Sequence, residues 1–150
     1  MSVTDNGAAP LVHVTNLKKH FPIHKGIVFQ REVGAVKAVD GVTFDIAAGE
    51  TLGLVGESGC GKSTVGRTLL GLYPATEGDI EIAGLDVVHA SGDDWLALRR
   101  KAQMIFQDPF ASLNPRWTVN AIVAEPLRVH KLLPNEKARD ERVVELLEMV

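Results

Sequence analysis

Residues 56–64 read Gly56-Glu57-Ser58-Gly59-Cys60-Gly61-Lys62-Ser63-Thr64 and directly follow the apolar run Thr51-Leu52-Gly53-Leu54-Val55. Gly56, Gly61, Lys62 and Ser63 satisfy the template G-x-x-x-x-G-K-[ST], which is credible when a strand leads in and a helix leads out. Both signals are present. The short apolar run 51–55 predicts a buried strand, and Val65, Leu69 and Leu72 recur at helical spacing over 62–72. In such a loop the glycines let the backbone wrap tightly and turn successive N–H groups inward. A concave nest and the N-terminus of the following helix then hold phosphate oxygens together. Lys62 adds a point charge, and the Ser63 hydroxyl suits Mg2+. Thr64 is a helix-start residue near an α-phosphate. The plain alternative, a glycine-rich turn before a helix, needs a chance match that arises in roughly one chain of this length in a few hundred.

Composition narrows the class further. With 150 residues, 45% of them apolar and 23% charged, the chain fits one α/β domain. A net charge of −3, with 16 Lys and Arg scattered rather than clustered, argues against a nucleic-acid partner. The opening MSVTDNGAAP has neither a charged nor an apolar leader region, and no run approaches the roughly 18 apolar residues of a membrane span. Cys60 is the sole cysteine, so no intrachain disulfide can form. It is either a reactive thiol beside a bound nucleotide or a small residue tolerated in a tight turn. The second is favoured because no resolving partner stands nearby in the sequence. His13, His20, His24, His89 and His130 are dispersed, and the one loose pair, His20 and His24, brackets Pro22, so no metal site is expected.

Periodicity and breakers set the organisation. Imperfect alternation over 11–21 and clearer alternation over 36–46, with Val42, Phe44 and Ile46 on one face, predict two strands before the first helix. The intervening 22–34, rich in breakers and charges, reads as a hairpin excursion or a surface insertion. A turn at 47–50 leads to the 51–55 strand, and Pro74 marks the latest end of the loop-following helix. Residues 80–82 read as a short strand, closed by 83–87. Ser91 and Asp94 fit a capping pattern for the next helix. Residues 104–106, Met-Ile-Phe, read as a second buried strand, followed by the turn-rich decapeptide Gln107-Asp-Pro-Phe-Ala-Ser-Leu-Asn-Pro-Arg116. A helix is expected from Thr118, and another from Asn135 as N-cap, with Ala138, Val143, Leu146, Leu147 and Val150 at helical spacing.

The loop GESGCGKST, together with Phe106 through Arg116, resembles the ATP-binding subunits of ABC transporters, and more closely the oligopeptide and dipeptide importer branch. The likeness runs from about residue 11 to 150 and implies an α/β P-loop NTPase nucleotide-binding domain. It would comprise N-terminal antiparallel β elements and a core part over 11–106, a Q-loop over 107–117, and the start of a helical subdomain over 118–150. Residues Gly56 to Thr64 would hold ATP, with Lys62 and Gln107 catalytic and Ser63 and Gln107 attending Mg2+. Gln107 corresponds to the Q-loop glutamine, whose amide can offer an oxygen to a hard cation or bond to water without a change of charge. Phe21 falls where the family stacks an aromatic on adenine, although a core phenylalanine fits the same position and Phe29 competes for the role. Arg116 and Trp117 are candidate contacts to a membrane partner, and Trp117 is equally suited to a core.

The resemblance further implies transporter membrane subunits, a second ATPase subunit and, indirectly, an extracytoplasmic solute-binding protein as partners, at the cytoplasmic face of the membrane. The transported solute would be a peptide or a related small molecule. The family's LSGGQ signature, acidic Walker B strand with its general-base Glu, and switch histidine do not occur in these 150 residues. The expectation is therefore an N-terminal portion that binds ATP without turning it over alone. A binding-only nucleotide module, or an inactive remnant, is the alternative. A kinase or GTPase is disfavoured, since no guanine-reading motif or arginine-rich lid follows the loop.

Overall fold

In the computed structural model, which describes residues 9–25, 31–108 and 112–150, the alternating segments pair as a long antiparallel hairpin. Strand β1 (Val12–Lys25) runs against β2 (Arg31–Ile46), from Val12 opposite Ile46 to Lys25 opposite Arg31. Much of the expected excursion is thus ladder: Pro22 lies opposite Ala35 and Ile23 opposite Gly34. On its other edge β1 takes β3 (Glu77–Ile82), with Val14 opposite Ile80, and β4 (Leu85–Asp86) closes a sheet of order β2-β1-β3-β4. The two strands with neighbours on both edges, β1 and β3, carry the deepest side chains of the sheet. Val14 and Leu17 are fully buried and Ile80 is 2% exposed.

Helix α1 (Lys62–Leu69) and helix α2 (Asp93–Lys101) contribute Val65 and Leu98 to the same cluster, together with Val39, Ile82 and Val87. Burying a side chain of this size contributes about 1.5–3 kcal/mol each, so this cluster is the main source of order around the loop. Helix α1 stops at Leu69, short of the predicted 72, because the chain reverses at Gly71. Helix α2 begins at a Gly92 cap rather than at Ser91: the Ser91 contact to Asp94 is main-chain, carbonyl to N–H at 2.9 Å, and no side chain caps the helix.

Two sequence-based expectations fail. Residues 51–55 and 104–106 form no strand, and most of their apolar side chains are exposed: Leu52, Leu54 and Val55 are 43%, 47% and 94% exposed, and Ile105 is 96% exposed, while Met104 is half-buried. A short apolar run becomes a buried strand only when neighbours supply ladder hydrogen bonds on its edges and cover on its faces. Among the described residues no strand pairs with either run.

The chain divides into two compact units, one through Gln103 and one from Met104. The second holds α3 (Val119–Val129) and α4 (Glu136–Glu148), both begun by the side-chain caps their sequences call for. Ala121 N–H donates to Thr118 Oγ1 at 3.2 Å, and Ala138 N–H donates to Asn135 Oδ1 at 2.9 Å. Asn120 donates to Asp140 at 2.9 Å across the pair, and Val143 is its deepest residue at 1% exposure. Among the described residues no helix is long and apolar enough to cross a membrane.

Candidate functional site

The loop 56–61 sits against the hairpin. Gly61 has φ +99°, and a Cβ there would lie 2.1 Å from the Ala38 carbonyl oxygen of β2, so this turn admits only glycine. That wedge fixes where α1 starts. Gly61 is also the helix N-cap, it offers no side-chain cap, and the first turn contains no acidic residue. The leading N–H groups of a helix have no intrahelical acceptor, so the end of α1 presents bare donors and a positive dipole end.

Lys62 curls back over the loop. Its ammonium donates to the Gly56 carbonyl at 2.7 Å and the Glu57 carbonyl at 2.6 Å, and lies 3.5 Å from Cys60 Sγ. The loop thus gathers a cation and a set of unpaired N–H donors at one point, which fits an anionic ligand. Ser63 is exposed and Thr64 half-buried, while Thr68, one turn on, bonds back to the Thr64 carbonyl at 2.8 Å. Cys60 is exposed and Glu57 accepts its N–H at 3.3 Å, so the thiol sits on a closed turn. No cluster of three or more His, Cys, Asp or Glu suited to a metal occurs among the described residues. A divalent ion at the loop would draw on hydroxyl, amide and ligand oxygens, the donor set that Mg2+ accepts.

Phe21 lies in the same unit. It pairs with Val36, two positions along β2 from the Ala38 that Gly61 touches, a separation of about 7 Å along the strand. Its ring stands perpendicular to that of Tyr73, with centroids 5.4 Å apart, and the Lys19 ammonium lies 4.8 Å from its centre. Sequence reading missed Tyr73 and its neighbour Arg67, because neither belongs to the loop template. Their only signal was an aromatic placed just beyond the helix that the loop begins.

Gln107 belongs to the second unit, exposed at the end of the extended run that follows α2. Residues 109–111 of its decapeptide lie outside the described residues. The rest forms a local turn, in which Asn114 accepts from the Arg116 N–H through Oδ1 and from the Trp117 N–H through its carbonyl, both at 3.0 Å. Trp117 is 42% exposed and lines a cleft of about 400 Å3 between α3 and α4, with Ala124, Arg128 and Arg139 among the other walls.

Away from the loop, charge pairs pin the sheet. Glu77 is held below the usual carboxylate range by its bond from Lys18, which is raised in turn. Asp40 is lowered by the Lys37 ammonium and then by His20.

A glycine loop wedged on a β-hairpin and feeding an uncapped helix defines a phosphate-binding α/β domain. Residues 39–150 match the profile of the ABC transporter family, and the chain belongs to it. It is 51% identical over 141 residues to the oligopeptide transport ATP-binding protein AppF of Bacillus subtilis, covering 93% of this chain and 42% of that protein. To the oligopeptide transport ATP-binding protein OppF of the same organism it is 53% identical over 142 residues, covering 93% and 44%. The glutathione import ATP-binding protein GsiA of Escherichia coli is 49% identical over 141 residues, covering 94% and 22%. The chain therefore spans less than half the length of these curated relatives. Among solved structures, a dimeric ATP-binding cassette in a post-hydrolysis state bound to ADP and phosphate superposes with a TM-score of 0.71 at 26% identity. That match covers 92% of this chain and 56% of the cassette.

Proposed function

We propose that this chain binds ATP through residues 56–64, as the nucleotide half-site of an ATPase that powers import of peptides or related small solutes. The observation that carries the reading is the Lys62 ammonium held within the loop at the mouth of an uncapped helix, beside the Gly61 wedge. The relatives support the solute class, since the names of AppF and OppF give oligopeptide transport and that of GsiA gives glutathione import.

In this reading the N–H groups of 59–64 take the phosphate oxygens and Lys62 takes the terminal phosphates. The Ser63 hydroxyl and the Gln107 amide serve Mg2+, which when bound neutralises phosphate charge. Phe21 stacks on the base, and the region 107–117 couples to membrane subunits. The protein works at the cytoplasmic face of the membrane, paired with a second ATPase subunit and supplied by a solute-binding protein. The domain division 11–106, 107–117 and 118–150 belongs to the same proposal.

Calorimetry with Mg-ATP on the 150-residue chain and on Lys62→Ala, with phosphate release followed in parallel, tests it. Saturable binding that the variant loses, without turnover, is the expected result. Absence of binding by the parent chain would refute the nucleotide reading, and turnover by it would refute the dependence on the signature and Walker B motifs.

A further inference from the structure

Tyr73 is the chain's only tyrosine, and it is gripped at both ends by one residue. The Arg67 carbonyl accepts the Tyr73 N–H at 3.3 Å and the Leu72 N–H at 2.8 Å, while Arg67 Nη1 donates to the Tyr73 hydroxyl at 3.0 Å. The guanidinium also lies 5.7 Å from the centre of the tyrosine ring. The turn that allows this double grip depends on Gly71, at φ +64°. A Cβ on Gly71 would meet the Trp95 ring at 2.0 Å, so α2 packs directly onto the turn and holds it. Thus fixed, Tyr73 stands perpendicular to Phe21 at 5.4 Å, in the edge-to-face arrangement that aromatic pairs favour. Lys19, only 8% exposed, lies against Phe21 as well. Phe21 itself is half-buried, so part of its ring still reaches solvent.

From this geometry we infer that Arg67 and Tyr73 are positioning residues that set the Phe21 ring for the purine base. The inference rests on the base-stacking part of the proposed function. A ring already held by a perpendicular neighbour and a cation loses little freedom when a ligand stacks on it, and affinity gained this way comes from order present before binding. The origin of the grip also links the two ends of the nucleotide. Arg67 is in α1, the helix whose N-terminus closes the phosphate loop, so one eight-residue helix orients both the phosphate donors and, through Tyr73, the base platform.

The test compares ATP with inorganic tripolyphosphate, which has the phosphates and no base, on the purified protein and its Phe21→Ala, Tyr73→Leu, Tyr73→Phe and Arg67→Met variants. Tripolyphosphate binding reports an intact loop in each variant. Tyr73→Leu and Arg67→Met are expected to weaken ATP about threefold to tenfold while tripolyphosphate is unchanged. Phe21→Ala should weaken ATP at least as much, since one base stacked on an aromatic accounts for an effect of about fivefold or more. Tyr73→Phe, which keeps the ring and loses only the Arg67 bond, should fall with Arg67→Met and retain more ATP affinity than Tyr73→Leu.

Unchanged ATP affinity in Tyr73→Leu would overturn the inference. So would a parallel fall of ATP and tripolyphosphate, which marks a general structural role. If Phe21→Ala leaves ATP unaltered, base stacking and this inference fall together while the phosphate reading stands. If the parent protein binds neither ligand, the nucleotide reading fails as well.

Discussion

Leu17 and Leu54 are the same side chain in two segments that both read as strands, yet one is fully buried and the other 47% exposed. Leu17 lies on β1, which has β2 on one edge and β3 on the other. Leu54 lies on a run with no pairing strand among the described residues. The difference teaches that apolar composition supplies a strand's motive to be buried and its neighbours supply the means. Unpaired main-chain N–H and C=O groups are not buried with a run that lacks a ladder.

The largest expected effect tests that contrast directly. Leu17→Ala should cost about 3 kcal/mol of unfolding free energy, the usual loss for a truncated core leucine. Leu54→Ala should change stability by no more than about 0.5 kcal/mol, as exposed positions do. Denaturant midpoints on both variants decide it. Equal losses would break the comparison and mean that residues 51–55 find cover in solution.

A smaller effect carries the contrast into the second unit. Asn135→Ala removes the side-chain cap of α4 and should cost about 1 kcal/mol, while Ser91→Ala, at a position whose hydroxyl caps nothing, should be near neutral. Thermal melts of the two variants check this, and a loss at Ser91 would restore the capping pattern that the sequence suggested.

The smallest effect lies at the short end of the sheet. Just beyond β4, the His89 ring bonds to Asp86 at 2.8 Å, which raises the imidazole above its ordinary value of 6.5. The folded state then holds the His89 proton more tightly than the unfolded chain does. Its contribution is complete below pH 6.5 and fades as pH rises through the higher folded value. Asp86 itself is lowered, first by the His89 main-chain N–H and then by the ring, so its share is present above its ordinary 3.8 and is lost in acid. With both groups exposed the slope will be shallow. Asp86→Asn should flatten the stability profile between neutral and mildly alkaline pH, and an unchanged slope would show that the pair does not couple to folding.

Much of the fold was legible because its signals are local. Alternation marked β1 and β2, a helical pattern from Thr118 and the Asn135 cap announced the last two helices, and the Gly56 to Thr64 template picked out the loop. The failures share a non-local cause. Whether residues 51–55 and 104–106 become strands depends on partners that no pattern within them encodes. Ser91 lost the cap to Gly92 because the main chain, bonding Ser91 to Asp94, left the hydroxyl no part to play. At the candidate site the residues of the loop could be read from spacing alone. The contacts of Ala38 with Gly61 and of Tyr73 with Phe21 required the hairpin and the helix end to meet in space.

Under the proposed nucleotide reading, the Lys62 ammonium, resting on the Gly56 and Glu57 carbonyls, makes ligand capture an exchange reaction. A phosphate arriving at the loop must draw the cation off two good backbone acceptors, so the observed affinity is a difference between two sets of oxygen partners rather than the full strength of either. The same two bonds leave both carbonyls satisfied while the loop is empty of ligand.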